Sequence, residues 1–162
     1  MSDGIILAII TMRVVIQRVK NAKVDVSNHE VARIGEGLLV LCGFEVEETD
    51  EDLRWMASKI CKLRLFDDEK GDTNLSIKEE SGEILVVRQF TLHASTKKAY
   101  RPSYVRAAPS SLAILFYNRF LNLLEVELGS KIATGVFGEM MEVSLVNNGP
   151  VTIVMDSKNR EF

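Results

Sequence analysis

The chain has 162 residues, of which 46% are apolar and 27% charged, with a net charge of −3. That length predicts one domain with a core of its own, and the composition is that of an ordinary soluble globular protein. The slightly acidic balance excludes a generic nucleic-acid binder.

The opening "MSDGIILAIIT" holds one apolar run, Ile5 to Ile10, too short to span a membrane and without the basic lead-in of a signal peptide. Residues 1–11 are therefore expected to be an N-terminal appendage of unassigned role, with the domain running from 12 to 162. Short strands are predicted at 13–19, 23–27, 30–34 and 37–44, separated by turn-like residues. Cys42 and Cys61 lie in apolar segments without a C-x-x-C, which predicts buried free thiols and a reducing, cytoplasmic setting. Thr49 followed by Asp52 resembles a capping box, and Leu53, Met56, Ile60 and Leu63 recur at helical spacing, so a helix is expected from about 50 to 64. Trp55 falls off that stripe, at a rim or an interface. A nearly continuous apolar run predicts a strand over 83–93, covered on both faces. Residues 96–109 read as a loop. Ser110 or Ser111 is expected to cap a second helix, with Leu112, Phe116, Phe120 and Leu123 inward and Gly129 as its stop. Strands complete the chain at 137–147 and 151–156, around Asn147-Asn148-Gly149-Pro150. Together these elements predict an α/β fold with mixed and antiparallel sheets.

The charge is unevenly placed. Between Arg88 and Leu124 lie six of the 20 Lys/Arg and none of the 23 Asp/Glu. A basic segment on an acidic body suits a phosphate-facing patch, though a solvated loop would look the same. No G-x-S-x-G, H-E-x-x-H, Walker or G-x-G-x-x-G motif occurs, and no Cys/His cluster has metal-ligand spacing, so neither metal nor cofactor is expected. His29 follows Asn28 in a turn and reads as exposed. His93, at the end of the predicted strand, reads as a surface residue or, less readily, a general base. Glu79-Glu80 reads as a turn charge pair. Two features remain. Gln89 and Thr91 flank Phe90, and strand alternation would set them on one face with Phe90 on the other. Gly149-Pro150 interrupts two branched apolar runs, where Pro has no N–H for a ladder and X-Pro bonds are mostly trans.

"RQFTL" (88–92) with "TKKAYRPSY" (96–104), and "NNGPVT" (147–152) preceded by "FGEMMEV" (137–143), closely resemble D-aminoacyl-tRNA deacylases. "MRVVIQRV" and "GLLVLCGF" look like the family's first strands, so the likeness covers roughly 12 to 156. The resemblance implies a homodimer of three-layer α/β/β subunits that hydrolyses the ester of D-aminoacyl-tRNA, and of glycyl-tRNA mischarged on tRNA-Ala, while sparing L-aminoacyl-tRNA. It implies a cis Gly149–Pro150 step entering the partner subunit's pocket, presenting two main-chain carbonyls as a wall against L side chains, with Arg18 bracing that loop. Gln89, Phe90 and Thr91 would line the pocket, main-chain N–H groups would form an oxyanion hole, and Phe137, Gly138 and Met141 would hold the terminal adenosine. The proton chemistry would rest on the tRNA's own terminal hydroxyl and the backbone, with Thr91 as nucleophile the older alternative. Lys97, Lys98 and Arg101 would meet tRNA phosphates. The chain departs from the family at Arg88, where Ser is usual; as a substrate-binding residue it would clash with or supplement a polar contact, or point out toward tRNA phosphate. A pocket weakened by that arginine, leaving a tRNA-binding module or a deacylase of altered selectivity, is the rival reading.

Overall fold

A computed structural model describes residues 12–46 and 49–161. The predicted appendage, residues 1–11, lies outside the described residues. Strand β1 (Arg13–Val26) turns at Ser27 and Asn28, both at positive φ, into β2 (His29–Ile34), followed by β3 (Gly37–Gly43). Two such residues match the right-handed twist of the flanking strands. β2 pairs with the C-terminal half of β1, and β3 continues in the same register along its N-terminal half, from Val19↔Gly37 to Arg13↔Gly43. The predicted strands 13–19 and 23–27 are thus one arm of a long hairpin, because Lys20, Asn21 and Ala22 stay extended. β3 pairs in parallel with β6 (Glu83–Arg88), and β6 with β7 (Ala133–Thr134). Along the other edge of β1 runs β8 (Glu142–Asp156), antiparallel. One domain with a mixed sheet is the result, as predicted.

Helix α1 (Asp50–Lys62) begins with the predicted capping box: the Thr49 hydroxyl accepts from the Asp52 N–H, and the Asp52 carboxylate accepts from the Thr49 N–H. Its Leu53, Met56 and Ile60 are buried. A short hairpin, β4 (Arg64–Asp67) with β5 (Thr73–Ser76), and a single turn α2 (Ile77–Glu80) follow. Neither was predicted. Glu79 accepts from the Ser76 N–H and so caps that turn. Helix α3 (Ser110–Leu128) has Pro109, not a serine, at its N-cap, with no side-chain cap bond, and ends at Gly129 with φ 81°. Its buried stripe is Ala113, Tyr117, Phe120, Leu123, Leu124 and Leu128, with Phe120 and Leu123 inward as expected, while Leu112 and Phe116 are half-buried beside it. Asp50 ties the helices together, accepting from Arg119 at 2.7 Å and from Arg54 at 2.6 Å. Those two guanidinium groups, Arg119 first, hold its carboxyl down at about 2.

Alternation along β3 and β6 divides the core. Leu38, Val40, Cys42, Ile84 and Val86 face the helices, whereas Leu39, Leu85 and Val87 pack against Val19, Val24 and Ile34 from the far half of the long hairpin. Both strands are buried on both faces, as their unbroken apolar runs require. The two cysteines are free and buried, as expected, and burial pushes the Cys61 thiol up to about 11.

Candidate active site

The predicted strand over 83–93 stops at Arg88. Phe90–His93 is a turn of 3-10 helix instead, so Gln89 and Thr91 are not strand residues sharing a face. The cause is local. The Gln89 N–H donates to the Cys42 carbonyl at 2.6 Å, and the Leu92 N–H then turns back onto the Gln89 carbonyl at 3.2 Å. Gly43 makes this possible, since a Cβ there would meet the Gln89 carbonyl oxygen at 2.8 Å and the His93 ring at 2.9 Å. The Gln89 side-chain amide donates to the Thr91 hydroxyl, so those two side chains do meet. Phe90 and Thr91, as the first residues of the turn, have N–H groups without a partner inside it.

His93 is buried, contrary to the surface position expected for it. Its Nδ1 lies 2.9 Å from Glu45, which also pairs with Arg106 at 3.2 Å. His93 Nε2 is buried with no partner among the described residues. Sealed beneath the turn, this histidine has no path to a substrate in solution, and the general-base reading falls. It anchors the turn instead. A second anchor is Arg13, which donates to the Leu92 carbonyl at 3.1 Å and pairs with Asp156 at 3.1 Å. Neither anchor was predicted, because each joins residues dozens of positions apart and leaves no local pattern. His29 is exposed, as expected.

Beside the turn opens a cleft of about 410 Å³, walled by Val87–Phe90 on one side and Gly138–Met141 with Val143 on the other. It brings together Arg88, Gln89, Phe90, Gly138 and Met141 of the expected residues. Phe137 adjoins it through Arg88, whose guanidinium lies 4.5 Å from the Phe137 ring and 5.5 Å from the Phe90 ring. Phe137 also packs against Tyr117 at 5.7 Å, and Phe90 against Tyr104 at 5.1 Å. The Phe137 ring therefore already has two protein neighbours, and a base stacking at this place meets the arginine as well as the ring. The 137–141 segment is a turn and not strand, since β8 begins only at Glu142. Gly138, at φ 84°, makes that turn.

Gly149 and Pro150 are a separate locus. They lie inside β8, not between two paired strands. Thr152 pairs with Gln17 and Asn147 with Val19, so four residues, Asn148 to Val151, oppose Arg18 alone. The Asn147 side chain closes the resulting bulge, accepting from the Val151 N–H at 2.8 Å and donating to the Val151 carbonyl at 3.2 Å. Arg18 holds it from below, donating to the Asn148 carbonyl at 2.8 Å and to the Leu65 carbonyl at 2.6 Å. The Gly149–Pro150 peptide is cis, and both residues are exposed. Pro150 needs no ladder donor in such a bulge, which explains a proline inside a long strand. Neither residue lines the cleft of its own chain.

Besides Arg88 at the cleft, the cations of the basic segment fall into two sets. Arg106 is paired with Glu45 and Arg119 with Asp50. Lys97, Lys98 and Arg101 are exposed in the loop between the 3-10 turn and α3, beside a fully exposed Tyr100. Among the described residues no three His, Cys, Asp or Glu side chains are grouped to hold a metal ion, and no helix is long and apolar enough to cross a membrane.

The family model described as D-Tyr-tRNA(Tyr) deacylase matches residues 15–156. A protein named D-aminoacyl-tRNA deacylase from Flavobacterium johnsoniae is 55% identical over 93% of this chain and 100% of its own length. Its namesake from Bacteroides thetaiotaomicron is 51% identical over the same shares. Among solved structures, a c-Myc DNA unwinding element binding protein superposes with a TM-score of 0.82 at 40% identity, over 88% of this chain and 97% of that one. A probable eukaryotic D-amino acid tRNA deacylase shares the fold with a TM-score of 0.79 at 22% identity, over 90% and 99%. With the family match spanning nearly all of the described fold, the chain belongs to the D-Tyr-tRNA(Tyr) deacylase family.

Proposed function

We propose that the protein hydrolyses the ester of D-aminoacyl-tRNA to free D-amino acid and tRNA, and that it acts likewise on glycyl-tRNA mischarged on tRNA-Ala. The observation that carries this reading is the family match over 15–156 together with a cleft lined by Gln89 and Phe90, where β6 gives way to the 3-10 turn. In this reading the ester carbonyl points at the N–H groups of Phe90 and Thr91, which stabilise the oxyanion as water adds. Gln89's own N–H is spent on Cys42, so it orients through its side chain. The Thr91 hydroxyl accepts from the Gln89 amide, which favours a binding role over a nucleophilic one. The terminal hydroxyl of the tRNA ribose relays the proton. Gly138 and Met141, with Phe137 behind Arg88, receive the terminal adenosine, and Lys97, Lys98 and Arg101 meet phosphates of the acceptor stem.

Two copies of the chain form the working unit in this reading. The exposed Gly149–Pro150 bulge of one copy enters the cleft of the other and excludes an L side chain by clash, while hydrogen or a D side chain fits. Paired assays on D- and L-tyrosyl-tRNA test the proposal. The D-ester is expected to be cleared while the L-ester decays at its rate in buffer. Equal hydrolysis of both would defeat the chiral part, and hydrolysis of neither would defeat the whole.

A further inference from the structure

Arg88, the last residue of β6, lines the cleft directly beside Gln89 and is its one cationic residue among the described residues. Among the described residues no carboxylate pairs with it, although Arg106 and Arg119 of the same basic segment are both paired. Glu139 lines the same cleft without forming an ion pair with it. Burial lowers the pKa of Arg88, the cost of holding its charge partly out of water. The guanidinium carbon of Arg88 lies over the Phe137 and Phe90 rings, 4.5 and 5.5 Å from their centres. Cation–π attraction to two rings holds the group in place without using its N–H donors, which stay available to an anion. A planar, half-buried fork with open donors suits the bidentate recognition of phosphate or carboxylate.

Resting on the deacylase reading above, we propose that Arg88 binds the phosphodiester that joins the ester-bearing terminal nucleoside to the rest of the tRNA. The substrate ester itself carries no negative charge, and its amino acid carries a cation. The nearest anion to a carbonyl held at Phe90 and Thr91 is therefore the phosphate on the 5′ side of the same nucleoside. Arg88, adjacent to Gln89 and open to the cleft, is placed to take it, while Lys97, Lys98 and Arg101 serve phosphates farther along the strand. Arg88 is then a specificity-determining contact that demands a polynucleotide in place of a free nucleoside ester.

The test pairs a D-tyrosyl-tRNA of natural backbone with one whose last phosphodiester is a neutral methylphosphonate, using wild type, Arg88→Met and Arg88→Lys. For wild type, kcat/KM is expected to fall about tenfold or more on the modified tRNA, the size of a lost charge-assisted hydrogen bond. For Arg88→Met the two tRNAs are expected to be equivalent, and Arg88→Lys should keep part of the difference. A clip that merely holds Phe90 against Phe137 would lower both substrates together and leave the ratio intact. An Arg88→Met protein as sensitive to the methylphosphonate as wild type, or a wild type indifferent to it, overturns the assignment. Failure of wild type on natural D-tyrosyl-tRNA would instead strike the deacylase reading itself.

Discussion

Gly149 has a φ of 146°, and a Cβ built on it would stand 2.9 Å from the Val151 nitrogen and 3.3 Å from Arg18 Nη2. Both the backbone angle and the space admit glycine alone. Gly149→Ala is expected to cost about 1–3 kcal/mol of stability, the usual size of a side chain forced into a sparsely populated conformation. A denaturant midpoint would report it, and an unchanged midpoint would mean that the bulge relaxes freely. Hydrolysis of the D-ester is expected to fall as well, because the bulge and its Arg18 brace move together. At this scale the sequence was informative where a residue type is chemically odd for its place. Gly149 and Pro150 inside branched apolar runs, and Arg88 ahead of Gln89, announce themselves. Glu45, His93 and Arg106 do not. Nothing in their own segments pairs them, and only the fold brings His93 and Arg106 within 3.2 Å of Glu45.

The 3-10 turn at Phe90–His93 shows what periodicity misses between one element and the next. An apolar stretch running on to Leu92 looks like more strand, because a buried strand and a buried turn both want apolar residues. What separates them is a hydrogen bond from Gln89 to Cys42, in another strand. The hairpin of β4 and β5 escaped for a different reason, since strands of four residues are too short for alternation to register. Helix α1 was legible because its capping box is a local signal, and α3 because nineteen residues give a long apolar stripe. The cluster beneath the turn makes a prediction of its own. Glu45 holds His93 and Arg106 at once, so Glu45→Ala removes the carboxylate from the buried His93 Nδ1 and is expected to cost about 1–3 kcal/mol. Glu45→Gln retains an acceptor oxygen for His93 and should cost less. Urea unfolding of the two variants separates the cases, and equal losses would show that charge rather than hydrogen bonding sets the turn. Ester hydrolysis should follow the same order, because the N–H groups of Phe90 and Thr91 are aimed by the turn that His93 anchors.

Across the whole molecule the expected site residues fall into two groups that one chain does not bring together. The cleft belongs to the ends of β6 and the 137–141 turn, whereas the Gly149–Pro150 bulge stands on β8, opposite Arg18 and away from that lining. In the reading proposed here, a second copy closes this gap, and mixed dimers test it directly. One subunit would carry Gly149→Val, which spoils its bulge but leaves its cleft. The other would carry Gln89→Ala with Thr91→Val, which spoils its cleft but leaves its bulge. Each parent homodimer is expected to be inactive on D-tyrosyl-tRNA. The mixed dimer should recover about half of the wild-type activity, since one of its two clefts is sound and is met by the sound bulge of its neighbour. Purification through two different tags isolates that species from the parents. Should bulge and cleft work within one chain, the first subunit has no functional bulge and the second no functional cleft, so the mixed dimer would be as inactive as its parents. A chain that stays monomeric at assay concentration while hydrolysing the D-ester would defeat the arrangement without any mutation.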